Sequence, residues 1–126
     1  MHELSIAISL VEAAEEELEK LGPVEVLAIH LELGCLAGVV RDSLEFSYEI
    51  ACQNTPLAGS RLLIEELPVL IDCLVCKEPR EIASLQDFHC AVCGSIGGKV
   101  VQGRELRVVA LEVNEIKTND NGVACP

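Results

Sequence analysis

Tryptophan is absent from this chain of 126 residues, and one Tyr and two Phe are its only aromatics. Single-stranded nucleic acid is held by stacking bases on aromatic side chains, so that function has little to build on. Cations are also scarce: nine Lys and Arg stand against 21 Asp and Glu, a net charge of −12. A general nucleic-acid binder must displace phosphate counterions with cations, which this balance excludes. No apolar run approaches the ~18–20 residues of a membrane span, which excludes an integral helical membrane protein. The opening Met1-His2-Glu3-Leu4-Ser5-Ile6 lacks the basic region and unbroken apolar stretch of a secretory signal, and no Lys or Arg precedes Lys20. A cytoplasmic chain is expected. No Ser–His–Asp set, Cys–His pair or dinucleotide fingerprint is visible, and the stretch from Gly34 to Gly38 lacks the Gly-Lys-Ser/Thr of a phosphate loop.

What the chain has in quantity is aliphatic side chains. Hydrophobic residues make up 50% of it, and Leu, Val and Ile supply 41 of them. A chain of this size buries roughly two-thirds of its surface on folding, so one aliphatic domain with a small appended module is expected, not disorder. Residues 3–21 read as a helix with Leu4, Ile8, Val11, Leu18 and Leu21 on one face, widened by Ile6, Leu10 and Ala13. The acids from Glu12 to Glu19 supply its wet side, and Gly22-Pro23 stops it. Residues 24–33 alternate, with Leu27, Ile29, Leu31 and Leu33 opposite Val26, Ala28, His30 and Glu32, which predicts a strand. Asp42, with Glu45 three positions on, predicts a capped second helix to about Gln53, with Leu44, Tyr48 and Ala51 on one face. Residues 61–67 and 104–113 predict two further strands. The strand–helix–strand run of residues 24–67 allows a right-handed parallel pair. Residues 71–101 have a broken hydrophobic pattern and are not expected to form a core of their own. The polar tail at 118–126 is expected to be disordered.

Seven cysteines, an odd number, fit a complete disulfide framework poorly. Four of them are clustered as Cys73-x-x-Cys76, thirteen residues, then Cys90-x-x-Cys93. A two-residue gap lets two thiolates of one turn face one ion, and two such knuckles complete a tetrahedron of sulfurs at about 2.3 Å around zinc. Four thiolates leave no open position, so such a zinc is structural rather than catalytic. Two disulfides, unligated core cysteines and an iron–sulfur cluster are the rival readings, and a reducing compartment favours metal. His89, beside Cys90, reads as a surface histidine. Cys35 and Cys52 read as small apolar packing residues, Cys125 as a free thiol in the tail, and His30 as a satisfied, partly buried histidine.

The first three residues admit two readings. One is a frayed terminus, with Glu3 merely complementing the dipole of the first helix turn. In the other, the terminal amine, backbone nitrogens and the His2 imidazole form a planar nitrogen-rich set suited to Ni(II) or Cu(II). Taken together, Met1-His2-Glu3-Leu4-Ser5, the amphipathic helix, the alternating strand ending at Gly34, the paired cysteine motifs and the closing strand resemble the HypA/HybF family of hydrogenase-maturation nickel chaperones. The resemblance covers about residues 1–116. It implies an α+β fold: a small mixed three-stranded sheet packed with two helices, with an inserted four-cysteine zinc-ribbon module. It implies a discontinuous nickel-binding domain of residues 1–70 with 102–117, and a zinc-binding domain of residues 71–101. Met1 through its amine, His2 and Glu3 match the nickel positions; Cys73, Cys76, Cys90 and Cys93 match the zinc ligands. Nickel is then transient cargo and zinc structural. The implied partners are a HypB-type GTPase and the large subunit of [NiFe]-hydrogenase, with urease maturation proteins in some members. Members usually carry a Pro-Glu pair where this chain has Arg41-Asp42; Asp42 keeps the carboxylate on a shorter arm. The rival functions are a zinc-ribbon adaptor for a macromolecular partner, a metal-dependent hydrolase and a copper or zinc carrier.

Overall fold

The computed structural model describes residues 2–115. Met1 and residues 116–126 lie outside the described residues, and with them the expectations for the Met1 amine, the tail and Cys125. The chain is α+β, in the order α1 (Glu3–Leu21), β1 (Val24–Gly34), α2 (Arg41–Cys52), β2 (Arg61–Leu67), β3 (Leu70–Cys73), β4 (Glu78–Ser84), β5 (Asp87–Cys90), β6 (Val100–Gln102) and β7 (Leu106–Glu115). No helix among the described residues is long and apolar enough to cross a membrane.

Three strands pair in the order β2-β1-β7. The Cys35 N–H, just past the end of β1, donates to the Leu67 carbonyl at the end of β2 over 3.1 Å, so these two strands run parallel. The Gly34 N–H at the end of β1 donates over 2.7 Å to the Glu105 carbonyl, immediately before β7, so β7 returns antiparallel. The sheet is mixed, as expected. The chain divides into two compact units. One takes the chain up to Leu31, then Val40–Leu63 and the run from Val108; the other takes Glu32–Val39 and Ile64–Arg107.

In the first unit α1 packs on α2. The buried stripe of α1 is Ala7, Leu10, Val11 and Ala14, while Leu4, Ile8 and Leu21 are exposed. Leu10 and Val11 are buried as expected, but Ala7 and Ala14 complete the stripe in place of Leu4, Ile8 and Leu21. Small alanines at helical spacing let the chain approach closely, and side-chain size misplaced the stripe when Leu and Ile were weighted above Ala. Leu44, Tyr48 and Cys52 face inward from α2. The Tyr48 hydroxyl pairs with Ser60 Oγ at 2.7 Å, and burial pushes its pKa up. Asp42 does not cap α2: the N-cap is Val40, and it makes no side-chain capping bond. Asp42 sits two positions after the N-cap as an exposed acid that complements the helix dipole. The capping acceptor comes from elsewhere, because Glu3 Oε2 accepts the Val40 N–H at 3.1 Å.

In the second unit four short strands pair in the order β5-β4-β3-β6. This segment does form a core, contrary to expectation: Ile71, Cys73 and Cys90 are buried together, with Cys76, Ile82 and Val100 packed against them. Half of that cluster is cysteine, which is why hydrophobic periodicity missed it. Cys35 is exposed rather than packed, because it follows β1 into a turn. At Gly34 the backbone of residues 103 and 104 passes so close that a Cβ would overlap the Gly103 carbonyl. Gly34→Ala is expected to lower stability by about 1–3 kcal/mol, read as a lower midpoint in chemical denaturation of the full chain.

Candidate metal centre

The two cysteine pairs are built by the same local turn. β3 ends at Cys73 and β5 ends at Cys90, so each strand delivers its last residue to the centre. The chain then reverses. The Lys77 N–H donates to the Cys73 carbonyl at 2.7 Å, and the Gly94 N–H donates to the Cys90 carbonyl at 2.8 Å. Both reversals need a positive φ, 60° at Lys77 and 74° at Gly94. Glycine takes this conformation without strain, whereas the lysine is held there by the turn. Within each turn the later cysteine's N–H points at the earlier sulfur: Cys76 to Cys73 Sγ, and Cys93 to Cys90 Sγ, both at 3.4 Å.

Antiparallel pairing brings the turns together. Cys73 lies opposite Glu78 in the β3–β4 ladder, and Ile82 of β4 lies opposite Cys90 of β5. All four sulfurs fall within 4.8 Å of one another. Cys73 Sγ is 3.5 Å from Cys93 Sγ, and Cys76 Sγ is 3.9 Å from Cys90 Sγ. The edge of a tetrahedron with 2.3 Å metal–sulfur bonds is about 3.8 Å. The observed separations bracket that edge, so the donor set fits a closed four-sulfur zinc site. None of the four is disulfide-bonded.

The electrostatics of the cluster are uneven. The Ser95 hydroxyl, with the Cys76 amide, pulls the Cys73 thiol down to about 6. Ser95 likewise lowers Cys93. The Arg80 guanidinium beside Cys76 pulls that thiol down, but burial and the sulfurs of Cys93, Cys73 and Cys90 outweigh it and push it up to about 11. Protons therefore leave the cluster unequally, and a divalent cation removes the conflict by taking all four as thiolates. Nothing in the sequence marks Arg80 as a neighbour of the cluster; Ser95, two residues beyond the last cysteine, is the one legible sign. His89 is half-exposed and its Nδ1 pairs with the Asp87 carboxylate, away from any ligand role.

The N-terminal residues are placed differently. His2 is the N-cap of α1, exposed, and its side chain makes no capping bond. Glu3 opens α1, and the Val40 amide holds its carboxyl below the usual range. Asp42 lies in the first turn of α2. His30 Nε2 lies 3.2 Å from Glu112 Oε1, half-buried and partnered. Among the described residues, the four cysteines are the one group of three or more His, Cys, Asp or Glu donors brought together.

Comparison with known proteins agrees with this architecture. The family model described as "HypA: Hydrogenase/urease nickel incorporation, metallochaperone, hypA" matches residues 1–113. The Hydrogenase maturation factor HypA of Chloroflexus aurantiacus (strain ATCC 29366 / DSM 635 / J-10-fl) is 46% identical over 112 residues, covering 89% of this chain and 98% of its own. That of Geobacter metallireducens is 43% identical over 113 residues, covering 90% of this chain and 99% of its own. The solution structure of the Ni metallochaperone HypA from Helicobacter pylori superposes with a TM-score of 0.63 at 22% identity, covering 92% of this chain and all (100%) of that one. At that identity it speaks for the fold. On the family match and the close relatives, the chain belongs to the HypA family of hydrogenase maturation factors, which are nickel metallochaperones rather than enzymes.

Proposed function

We propose that this chain binds Ni(II) at its N-terminus and delivers it to the large subunit of a [NiFe]-hydrogenase, acting with a HypB-type GTPase, while Cys73, Cys76, Cys90 and Cys93 hold a structural zinc. The nickel donors are the Met1 amine, His2 and the Glu3 position, within a domain of residues 1–70 and 102–117; residues 71–101 are the zinc module. The same cargo serves urease maturation proteins where such a partner exists. The reading places the chain in the cytoplasm, where thiols stay reduced.

One observation carries it. His2 sits at the start of α1 with its imidazole exposed and not spent on capping the helix. An imidazole next to a terminal amine, with backbone nitrogens between, forms the planar nitrogen set that Ni(II) favours. The Glu3 carboxylate, engaged by the Val40 amide, anchors the first turn beside the start of α2 and so orients this set. The division of labour follows from ligand chemistry. A closed four-sulfur cage releases metal slowly, whereas an open planar site exchanges ligands with an acceptor.

His2→Ala is expected to abolish nickel binding while zinc stays at one per chain, read by elemental analysis of the untagged protein after nickel exposure. Equal loss of both metals overturns the division. Residues added ahead of Met1 are expected to weaken nickel binding with His2 intact, because they convert the amine donor into an amide; calorimetric titration of the extended and native chains checks this. Nickel affinity is expected to fall as pH drops through the amine range of about 7.7–8.0, since protons and nickel compete for the same nitrogen.

A further inference from the structure

The four sulfurs divide into two pairs, each drawn from both knuckles: Cys73 with Cys93 at 3.5 Å, and Cys76 with Cys90 at 3.9 Å. Each pair has its own polar neighbour. Ser95 Oγ lies 3.0 Å from Cys93 Sγ and 3.4 Å from Cys73 Sγ, so one hydroxyl spans the two knuckles. Its backbone is fixed, because the Ser95 carbonyl accepts the Cys90 N–H at 2.9 Å. Arg80 lies opposite Ile71 in the β3–β4 ladder, two residues from the Cys73–Glu78 pair, and so shares their face of the sheet. Glu78 Oε1 holds its Nη1 at 3.1 Å, while its Nε is buried and has no hydrogen-bond partner among the described residues. A buried N–H without an acceptor is costly, and the Arg80 guanidinium lies against Cys76, where thiolate charge offsets that cost. A zinc ion with four thiolates carries two net negative charges, from four sulfurs at −1 and one cation at +2.

We propose that Ser95 and Arg80 are positioning residues of the four-cysteine centre, Ser95 donating to the Cys73–Cys93 pair and Arg80 setting its charge against the Cys76–Cys90 pair, and that together they determine how tightly the centre keeps its metal. The inference rests on the four cysteines holding zinc. Ser95 withdraws electron density from two sulfurs and Arg80 offsets the excess charge, so each makes the thiolate form cheaper to retain. Partners outside the ligand shell typically carry about 10–100-fold in metal affinity.

The test is competition for zinc between the full-length chain and a chromophoric chelator. Ser95→Ala and Arg80→Gln are each expected to lose on the order of tenfold in zinc affinity. Ser95→Thr, which keeps the hydroxyl, and Arg80→Lys, which keeps the charge, are expected to recover most of it. Cobalt-substituted chains give a second readout. The ligand-field bands of tetrahedral cobalt are expected to persist in every variant, showing an assembled site. The sulfur-to-cobalt charge-transfer band is expected to move to longer wavelength in Ser95→Ala, because a thiolate stripped of a hydrogen bond gives up its electron more easily. Wild-type zinc affinity and an unmoved charge-transfer band in both Ser95→Ala and Arg80→Gln overturn the proposal, as does a Ser95→Thr chain that behaves like Ser95→Ala. A wild-type chain without tetrahedral cobalt overturns the four-sulfur site itself, which separates that failure from this one.

Discussion

Four sulfurs packed within 4.8 Å of one another are a charge problem before they are a metal site. Two thiolates at the observed 3.5 Å or 3.9 Å repel by about 4 kcal/mol at an effective dielectric of about 20. Hydrophobic burial is a weak counterweight here, because the buried core of the module is Ile71, Cys73 and Cys90. A core this small and this rich in cysteine is of the kind that a bound metal stabilises. The strands β3 and β5, the twin reversals at Lys77 and Gly94 and the side chains of Ser95 and Arg80 all serve one requirement. They hold negative sulfur where a divalent cation can gather it.

The first unit answers to a different constraint. Its core is conventional: Leu10 and Val11 of α1, Leu44 and Tyr48 of α2, and Ile29 and Leu31 of β1 are buried. That core has no need of metal, so the chain's first turn is free for another use. Glu3 ties that turn to the start of α2 through the Val40 amide, which fixes the backbone around His2 without using its imidazole. The acid thus does for α2 what Asp42 was expected to do for itself, and in doing so it links residues 37 positions apart in sequence.

Local rules made most of the elements legible. Both helices, the three strands of the mixed sheet and the four-cysteine cluster follow from periodicity, turn residues and spacing, each of which acts over a few neighbouring residues. What escaped were relations between distant residues and the effect of small side chains. Ala7 and Ala14 form the buried stripe of α1 because they are small, and a reading weighted by hydrophobic bulk passed over them in favour of Leu4 and Ile8. The acceptor at the start of α2 comes from the first turn of α1, 37 positions away, where no local pattern links it to Val40. Arg80 lies opposite Ile71 in the register of β3 on β4 and its guanidinium meets Cys76, and register is not written in either strand alone. Cys35 follows the same lesson: a cysteine is packed or exposed according to where its strand stops.

The contrast between the two metal environments supplies a reason for their being in one chain. In the proposed reading nickel sits at the N-terminus of α1, where the helix dipole presents partial positive charge. A dication there is disfavoured electrostatically, and Glu3 in the first turn offsets only part of that. The site is thereby kept weaker than its nitrogen donors would make it in isolation, which is what release to an acceptor requires. Zinc faces the opposite field. In the same reading its donors are anionic sulfurs, supported by the amides of Cys76 and Cys93 and by the Arg80 guanidinium. In that reading, segregation of cargo from structural metal follows from where each donor set stands: one at the positive end of a helix, the other at the ends of two strands.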